Sequence, residues 1–278
     1  MVRPSDIQAT DRFCLTAQFR VAANMYLDSF ALSGRVALVT GATEGVGQYI
    51  AFGLADAGAD LVICGRRREA LASVASKISE YGRRVETCAG DLTELREIER
   101  LKSFVLERLG RLDILVNSAG YAVTKPAWEV SEEDWDQTLD ISFKGLFFCC
   151  QILGSIMRQQ NYGKIINLGS TLGRATVAGR AVYSGIKAGI AHLSEALAVE
   201  WAADGVRVNV LAPAAVMTPS RVEILKGKFL ADMLNRIPLG RLAEAGDLAR
   251  AAIYLAAPAS DFITGQTLYV DGGLIAHG

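Results

Sequence analysis

Tyr183 and Lys187 lie four residues apart in the stretch AVYSGIKAGIAHLSEALAVEWA. Four residues is about one α-helical turn, so both side chains face the same side of a helix. A free phenol has a pKa of about 10, which is too high for a base at neutral pH. A cation ~4 Å away, at an effective dielectric of about 20, is worth ~4 kcal/mol and would bring that pKa close to neutrality. A surface helix with a solvated lysine has the same spacing, so the rest of the chain must decide.

A glycine-rich segment, TGATEGVG, follows a short apolar run and begins a helical pattern. Its glycines, Gly41, Gly45 and Gly47, have the spacing G-x-x-x-G-x-G, which differs from the G-x-G-x-x-G dinucleotide fingerprint. The physics is the same, because a turn without side chains lets a pyrophosphate approach backbone N–H groups at a helix N-terminus. The segment alone is also compatible with an ordinary glycine-rich turn.

Other polar residues follow further strand-like runs. Asp91 ends VETCAGD, where its carboxylate could reach an adenine ring, and VNSAG contributes Asn117 and Gly120. Ser170 ends KIINLGS, thirteen positions before Tyr183. In a doubly wound sheet, ligands bind beyond the carboxyl ends of the strands, so these positions are expected to converge on one crevice.

The elements that would position these residues alternate along the chain. Seven short apolar runs are predicted to be strands, and helical patterns separate most of them, the first two near residues 46–58 and 67–81. The runs are RVALVTG, LVICG, VETCAGD, LDILVNSAG, KIINLGS, VRVNVLAP and TLYVDGG. Continuous apolar strands alternating with helices indicate an α/β fold: one Rossmann-like, doubly wound domain over residues 33–278, with a seven-stranded parallel sheet and helices on both faces.

Residues 1–32 form a separate N-terminal extension in this interpretation. They lack the apolar core of a signal peptide, and Asp6 and Asp11 argue against a mitochondrial presequence. An upstream extension, a poorly ordered tail and a docking arm all remain open.

Composition excludes several classes of protein. Of the 278 residues, 51% are hydrophobic and 21% charged, with a formal net charge of −1, so there is no basic excess for a nucleic acid or an anionic membrane. No apolar run approaches the ~20 residues of a membrane span. The five cysteines are odd in number and form no C-x-x-C pair. A reducing, cytoplasmic setting without a cysteine–histidine metal site is therefore expected.

Hydrolysis is disfavoured as well. The chain has only two histidines, His192 and His277, and neither has a setting suited to a Ser-His-Asp triad. The segment LGSTLG also fails the nucleophile pattern G-x-S-x-G, because Leu168 stands where the first glycine belongs.

Taken together, TGATEGVG, Asp91, NSAG, Ser170, YSGIK, APAAVMT and YVDGG occur in one order and at intervals that resemble the short-chain dehydrogenases/reductases. The resemblance covers about residues 33–278 and implies an NAD(P)-dependent oxidoreductase that interconverts a secondary alcohol and a ketone. It implies that Tyr183 is the acid in reduction and the base in oxidation. Ser170 would hydrogen-bond the substrate oxygen, while Lys187 would hold the nicotinamide ribose and lower the pKa of the tyrosine.

Two positions depart from the family pattern. Ser142, in WDQTLDISFKG, stands where the family usually has an asparagine, a fourth catalytic residue thought to anchor a water that leads protons to the lysine. A serine could hold that water through its hydroxyl or its backbone carbonyl, so we expect activity to be retained. Ala214 replaces the glycine of the usual P-G and is expected to alter the loop after Pro213 without removing the site.

The cofactor is expected to contact residues from several loops. They are Gly41, Thr43, Glu44, Gly45, Val46, Gly47, Arg66, Arg67, Asp91, Leu92, Asn117, Ala119, Gly120, Tyr183, Lys187, Pro213, Val216 and Thr218.

The choice between NAD(H) and NADP(H) depends on LVICGRRREAL. An NAD enzyme commonly has an acid near Gly65, which here cannot repel a 2′-phosphate, and Arg66 follows at once. Arginines at a helix start oppose the helix dipole, so an anion among them would explain them. Glu44 is contrary evidence, since NADP-preferring relatives often have a basic residue there. NADP(H) is favoured, with Arg66 as the main phosphate ligand, and NAD(H) stays possible.

The substrate and the assembly are less constrained. The ending ITGQTLYVDGGLIA resembles gluconate-type dehydrogenases as much as 3-oxoacyl-carrier-protein reductases, so a sugar acid or polyol and a 3-oxoacyl thioester are both open. Basic residues near the site could meet an anion or could be solvated loop charge. They are Arg174, Arg180, Arg221, Lys226 and Lys228. The resemblance suggests a homotetramer or homodimer. The alternative from another class is a catalytically weakened NAD(P)-binding regulatory or scaffold protein.

Overall fold

The computed structural model describes residues 25–218 and 227–276. Its centre is a sheet of seven strands whose neighbouring pairs are all parallel. The strands are β1 (Val36–Thr40), β2 (Asp60–Gly65), β3 (Val85–Ala89), β4 (Ile114–Asn117), β5 (Gly163–Leu168), β6 (Val206–Pro213) and β7 (Thr267–Val270). Each corresponds to one of the seven predicted runs, with β2 and β5 beginning one residue earlier than predicted, so the predicted parallel sheet is confirmed.

Nine α-helices occur in the described part of the chain. They are α1 (Met25–Asp28), α2 (Gly45–Asp56), α3 (Arg68–Ser79), α4 (Leu95–Leu109), α5 (Glu132–Leu139), α6 (Gly145–Gln160), α7 (Ala181–Trp201), α8 (Gly227–Arg236) and α9 (Ala245–Ala256). The two helices predicted near 46–58 and 67–81 correspond to α2 and α3.

The helices cover both faces of the sheet, because each strand is buried on both sides. In β1, Ala37 and Val39 pack with α2, α3 and α9, while Leu38 between them packs with α4, α6 and α7. This alternation follows from the two-residue period of a strand. It confirms the doubly wound architecture and explains why the strands are continuous apolar runs.

The strand order is β3-β2-β1-β4-β5-β6-β7. The order reverses between β1 and β4, which lie side by side with Thr40 opposite Asn117. At such a switch point the loops leaving the two strands diverge to opposite faces, and a crevice opens beyond their carboxyl ends. The sheet thus creates a ligand site where the glycine-rich segment and VNSAG begin.

A π-helical turn, Asp140–Lys144, joins α5 to α6. The continuous run Glu132–Gln160 is the one helix in the described residues long and apolar enough to cross a membrane by length and composition alone. Its α6 part buries Cys149, Leu153 and Met157 in the core against β4 and β5, as a core helix of a soluble protein does.

The chain contacts the sheet domain slightly before the predicted boundary at residue 33. Leu32 is fully buried and its N–H donates to the carbonyl of Ala57, while the Phe30 ring lies 6.1 Å from the ring of Tyr254. Residues 1–24, which make up most of the predicted extension, lie outside the described residues.

Candidate active site

The glycine-rich segment forms the turn between β1 and α2. Gly41 has a φ of 65°, a conformation that disfavours side chains, and a Cβ placed on it would lie 2.7 Å from the backbone of Ala119. A Cβ on Gly47 would lie 2.6 Å from the carbonyl oxygen of Gly41. Glycine at both positions lets the turn pack against the chain leaving β4, which keeps the crevice narrow.

The N-terminus of α2 opens into this crevice and fits a dinucleotide. Glu44 is the N-cap residue, yet its side chain makes no capping hydrogen bond, and the first turn holds no acidic residue. The backbone N–H groups of the first turn of α2, at the positive end of the helix dipole, are therefore available to bind a phosphate. Gly45, with a φ of 62°, and half-buried Thr43 and Val46 belong to the same turn.

The arginines after β2 stand next to this turn. Arg67 Nη2 lies 3.0 Å from Glu44 Oε2 and donates to Thr43 Oγ1 at 3.3 Å. Arg66 is exposed and has no ion pair or hydrogen bond within residues 25–218 and 227–276. Glu44 is thus neutralised by Arg67, which leaves the guanidinium of Arg66 available to a ligand.

Asp91 and Leu92, which follow β3, lie at the same carboxyl edge of the sheet. Asp91 Oδ1 accepts hydrogen bonds from the N–H and the hydroxyl of Thr93, at 3.1 and 2.9 Å, which fix the orientation of this carboxylate. Leu92 is buried beneath it.

The loop after β4 is held by a residue that the sequence analysis missed. Thr40 Oγ1, at the end of β1, accepts from the N–H groups of Ser118 and Ala119 at 3.1 and 3.2 Å. Gly120 follows Ala119, and a Cβ placed on Gly120 would lie 3.4 Å from Ser142 Oγ. Thr40 was overlooked because it closes an apolar run, yet a hydroxyl at a buried strand end is a signal that could have revealed it.

The chain leaving β6 lies at the same edge. Pro213 ends the strand, Val216 is buried and forms a short bridge to Ala243, and Thr218 is buried as well. The N–H of Ala214 donates to the carbonyl of Val270 at 3.3 Å, so this loop stays attached to β7 despite the departure from P-G. Arg221, Lys226 and the Lys228 side chain fall outside the described parts of the structure.

Ser142 lies in the π-helical turn and is almost fully buried. Its hydroxyl accepts from the N–H of Tyr121 and donates to the carbonyl of the same residue, both at 3.0 Å. A hydroxyl has one proton, so Ser142 has none left to donate to a water. The side chain instead fixes the loop after β4, and its hydroxyl oxygen could serve a relay water only as an acceptor, through its second lone pair.

Ser170 follows the carboxyl end of β5, and Tyr183 and Lys187 lie four residues apart on α7. Lys187 Nζ lies 5.6 Å from the centre of the Tyr183 ring and donates to the carbonyl of Leu168. Ser170 Oγ accepts from the N–H of Leu172 at 3.1 Å, so its own proton is free to donate elsewhere. Lys187 thus lies beside the Tyr183 ring, as the four-residue spacing predicts, and its bond to the Leu168 carbonyl holds it near the end of β5, which Ser170 follows.

Burial governs the charge of Lys187. Its side chain is 8% exposed, and loss of solvation lowers its pKa from 10.5 to about 8. Lys187 is therefore mainly protonated at pH 7, and its ammonium is a cation beside the Tyr183 ring. The close packing depends on Gly173, since a Cβ there would lie 2.9 Å from the Lys187 carbonyl carbon.

The described histidine has no part in this arrangement. His192 is highly exposed on α7 and its Nδ1 lies 3.1 Å from Glu195 Oε2. His277 falls outside the described residues. Arg174 is exposed and Arg180 half-buried, in the segment that links Ser170 to α7.

The comparisons with known proteins agree with this geometry. Residues 41–275 match the family model described as Enoyl-(Acyl carrier protein) reductase. The chain is 35% identical to the 2-dehydro-3-deoxy-D-gluconate 5-dehydrogenase of Escherichia coli over 255 residues, covering 91% of this chain and 100% of the relative. It is 32% identical to the 3-oxoacyl-(acyl-carrier-protein) reductase FabG of Thermotoga maritima over 244 residues, covering 88% and 99%.

A solved structure extends the likeness to three dimensions. The gluconate 5-dehydrogenase of Burkholderia cenocepacia, crystallised with NADP and tartrate, superposes with a TM-score of 0.86 at 34% identity, covering 90% of this chain and 98% of that one. The similarity therefore spans nearly the whole sheet domain. It includes the glycine-rich turn, the crevice at the switch point, and Ser170, Tyr183 and Lys187. The chain belongs to the short-chain dehydrogenase/reductase family of NAD(P)-dependent oxidoreductases that interconvert alcohols and ketones.

Proposed function

We propose that this protein is an NADP(H)-preferring dehydrogenase in which Tyr183, Ser170 and Lys187 carry out the proton chemistry. The observation that supports it best is the buried ammonium of Lys187 beside the Tyr183 ring at the carboxyl end of β5. When bound, the nicotinamide supplies or accepts the hydride.

In the reductive direction, Tyr183 donates a proton to the carbonyl oxygen as that oxygen gains negative charge. Ser170 donates a hydrogen bond to the same oxygen, because its bond with the Leu172 N–H uses a lone pair and leaves the hydroxyl proton available. In the oxidative direction, Tyr183 removes the hydroxyl proton, and the Lys187 cation stabilises the phenolate that this step requires. Ser142 assists by fixing the loop after β4 through Tyr121.

The preference for NADP(H) is supported by the arginines after β2. Arg66 has no competing ion pair among the described residues, while Arg67 neutralises Glu44 at 3.0 Å. This pairing reduces the repulsion that an acid in the glycine turn would exert on a 2′-phosphate. The NADP bound by the Burkholderia gluconate 5-dehydrogenase is consistent with the same choice here. Asp91 and Leu92 would contact the adenine, and Asn117, Pro213, Val216 and Thr218 would border the nicotinamide half.

A sugar acid or polyol is the substrate class that we favour. The gluconate-type relatives act on such molecules by name, and Arg174 and Arg180 lie between Ser170 and α7, where a carboxylate could meet them. A 3-oxoacyl thioester is the second candidate, favoured by the similarity to FabG over 244 residues.

We also propose that a second copy of the chain covers a groove between α5 and α7. The groove has a volume of about 720 Å³ and is lined mainly by apolar side chains, among them Trp135, Leu139, Phe143 and Val182. Trp135 remains 48% exposed in the single chain. Contiguous apolar surface of this kind marks an association site, which agrees with the homotetramer that the family resemblance suggests. A cytoplasmic setting is proposed too, supported by the free thiols of Cys64, Cys88, Cys149 and Cys150.

The buried charge of Lys187 predicts a pH-dependent stability. The pKa of Lys187 in the folded protein, about 8, lies below its ordinary value of 10.5. Below pH 8 the buried ammonium therefore lowers the free energy of unfolding by its full desolvation cost. This cost, about 3 kcal/mol, fades between pH 8 and 10.5. Lys187→Met should therefore gain stability relative to wild type at pH 7, and this gain should shrink by most of that amount at pH 10. Urea unfolding of both apo proteins measures it.

The matched control is Lys77→Met, on the exposed side of α3. Its stability relative to wild type should vary little with pH, because an exposed ammonium loses little solvation. A Lys187→Met difference that stays constant from pH 7 to 10 would contradict the buried cation.

Tyr183→Phe should abolish turnover while leaving NADPH affinity nearly intact, because only the transferable proton is lost. NADPH oxidation is followed with a panel that includes 5-ketogluconate, a keto-polyol and an acetoacetyl thioester, and NADPH affinity by fluorescence. More than a few per cent of wild-type turnover in the variant would exclude Tyr183 as the acid. A wild-type protein that binds NADPH but reduces nothing on the panel would favour the regulatory or scaffold alternative.

Arg66→Ala should weaken NADPH binding by about ten- to a hundredfold, since a charge-assisted phosphate contact is worth ~1.5–3 kcal/mol. NADH binding should change little. Arg68→Ala, two residues later at the start of α3, is the control and should affect both cofactors alike. Equal losses for NADPH and NADH in Arg66→Ala, or a wild-type preference for NADH, would overturn the assignment.

Trp135→Glu should convert the assembly to a smaller species, because a carboxylate cannot be buried unpaired in an apolar interface. Size-exclusion chromatography with light scattering gives the mass. Phe262→Glu, at a fully exposed ring outside the groove, serves as the control and should leave the mass unchanged. A wild-type monomer would rule out the proposed assembly.

A further inference from the structure

The buried face of α7 holds two polar side chains among apolar ones. Ile186, Ile190 and Leu197 pack into the core, and Lys187 and Ser194 lie on the same buried face, two turns apart. Apolar contacts are non-directional, so they resist small sliding or rotation of a helix only weakly. Hydrogen bonds between buried groups are directional and can fix the position of the helix.

The hydroxyl of Ser194 has a defined orientation. It donates to the carbonyl of Ile190, one turn earlier in α7, at 2.7 Å. Its single proton is thereby used within the helix, and a lone pair points outward to accept from Asn167 Nδ2 at 2.9 Å. Because Ser194 is 1% exposed and Asn167 fully buried, water cannot replace this bond if it is broken.

The Asn167 amide is in turn fixed by the neighbouring strand. Its Oδ1 accepts from Asn117 Nδ2 at 2.9 Å, and these two residues are opposite each other in the β4–β5 register. Asn117 precedes the loop that Thr40 holds at the cofactor crevice. The side chain of Ser194 is therefore connected through two amides to the strand that carries this loop.

Asn167 and Leu168 are consecutive in β5, and each holds α7 at one point. The Leu168 carbonyl accepts from Lys187, and the Asn167 amide donates to Ser194. We propose that Ser194 is a positioning residue for the catalytic pair: its bond to Asn167 sets the axial position of α7, which keeps Lys187 on the Leu168 carbonyl and Tyr183 beside the substrate oxygen. This inference rests on the function proposed above, since it concerns how those residues are aligned.

Ser194→Ala removes the bond with little change of volume and retains a good helix former. Loss of a buried hydrogen bond of ~1–2 kcal/mol that acts on alignment should lower kcat by about tenfold, with KM for NADPH and substrate changed by less than about threefold. Ser194→Thr keeps the hydroxyl and should restore at least half of kcat. The pH profile of kcat should also shift in Ser194→Ala, because the Tyr183–Lys187 pair titrates in a different arrangement.

Leu197→Val is the matched control, since it removes one buried methylene from the same face of α7 without touching the polar network. It should lower the Tm by an amount similar to Ser194→Ala while keeping kcat near wild type. If Leu197→Val loses as much kcat as Ser194→Ala, or if Ser194→Ala keeps kcat within about twofold, Ser194 has only a structural role and the proposal is wrong. Should Ser194→Ala prove insoluble, Ser194→Cys, a weaker acceptor, replaces it in every measurement.

A double-mutant cycle tests the coupling without turnover. If Ser194 positions Lys187, the Tm changes of Ser194→Ala and Lys187→Met should not add in the double variant, whereas those of Leu197→Val and Lys187→Met should. Additive changes in both cycles would refute the positioning role. The two proposals can fail separately. If the cycle is non-additive but the protein reduces no carbonyl, Ser194 still positions Lys187 and only the proposed oxidoreductase function is refuted.

Discussion

The ammonium of Lys187 is buried at the carboxyl end of β5, with a backbone carbonyl as its hydrogen-bond partner. Placing a cation there costs folding free energy, which the apolar contacts of α7 with the sheet must offset. In return, the low-dielectric surroundings strengthen the effect of the charge on the adjacent phenol. Three features keep the ammonium in this place. They are the long, well-packed α7, the absence of a side chain at Gly173, and the hydrogen bond that links Ser194 to Asn167.

The parallel sheet brings the other half of the site to the same place. Since all seven strands run in one direction, every loop that follows a strand emerges at one edge, and the reversal of order between β1 and β4 opens the crevice. Segments far apart in the chain, such as the glycine turn and the loop after β4, become neighbours there. Gly41 and Thr40 make that contact possible, the first by lacking a side chain and the second by accepting two N–H groups.

Ser142 shows how one departure from a family pattern can be accommodated. Its short side chain reaches only as far as the backbone of Tyr121, but it both donates and accepts there. The loop is therefore held by two hydrogen bonds from one short side chain. The π-helical turn that carries Ser142 interrupts the α-helical hydrogen-bond ladder at this point, which is common next to functional sites.

The sequence alone was sufficient for the seven strands, the doubly wound class and the pairing of Tyr183 with Lys187. Each rests on local periodicity: apolar runs for buried strands, and a four-residue spacing for one helical turn. The role of Arg67 as the partner of Glu44, the double hydrogen bond of Ser142 and the chain from Asn117 through Asn167 to Ser194 could not be read in this way. These contacts join residues 21 to 50 positions apart, and their geometry exists only after the strands pair and α7 packs on the sheet. Periodicity determines which face of an element is buried, whereas tertiary packing determines which polar groups meet on that face, because hydrogen bonds depend on distances and angles that no local pattern encodes.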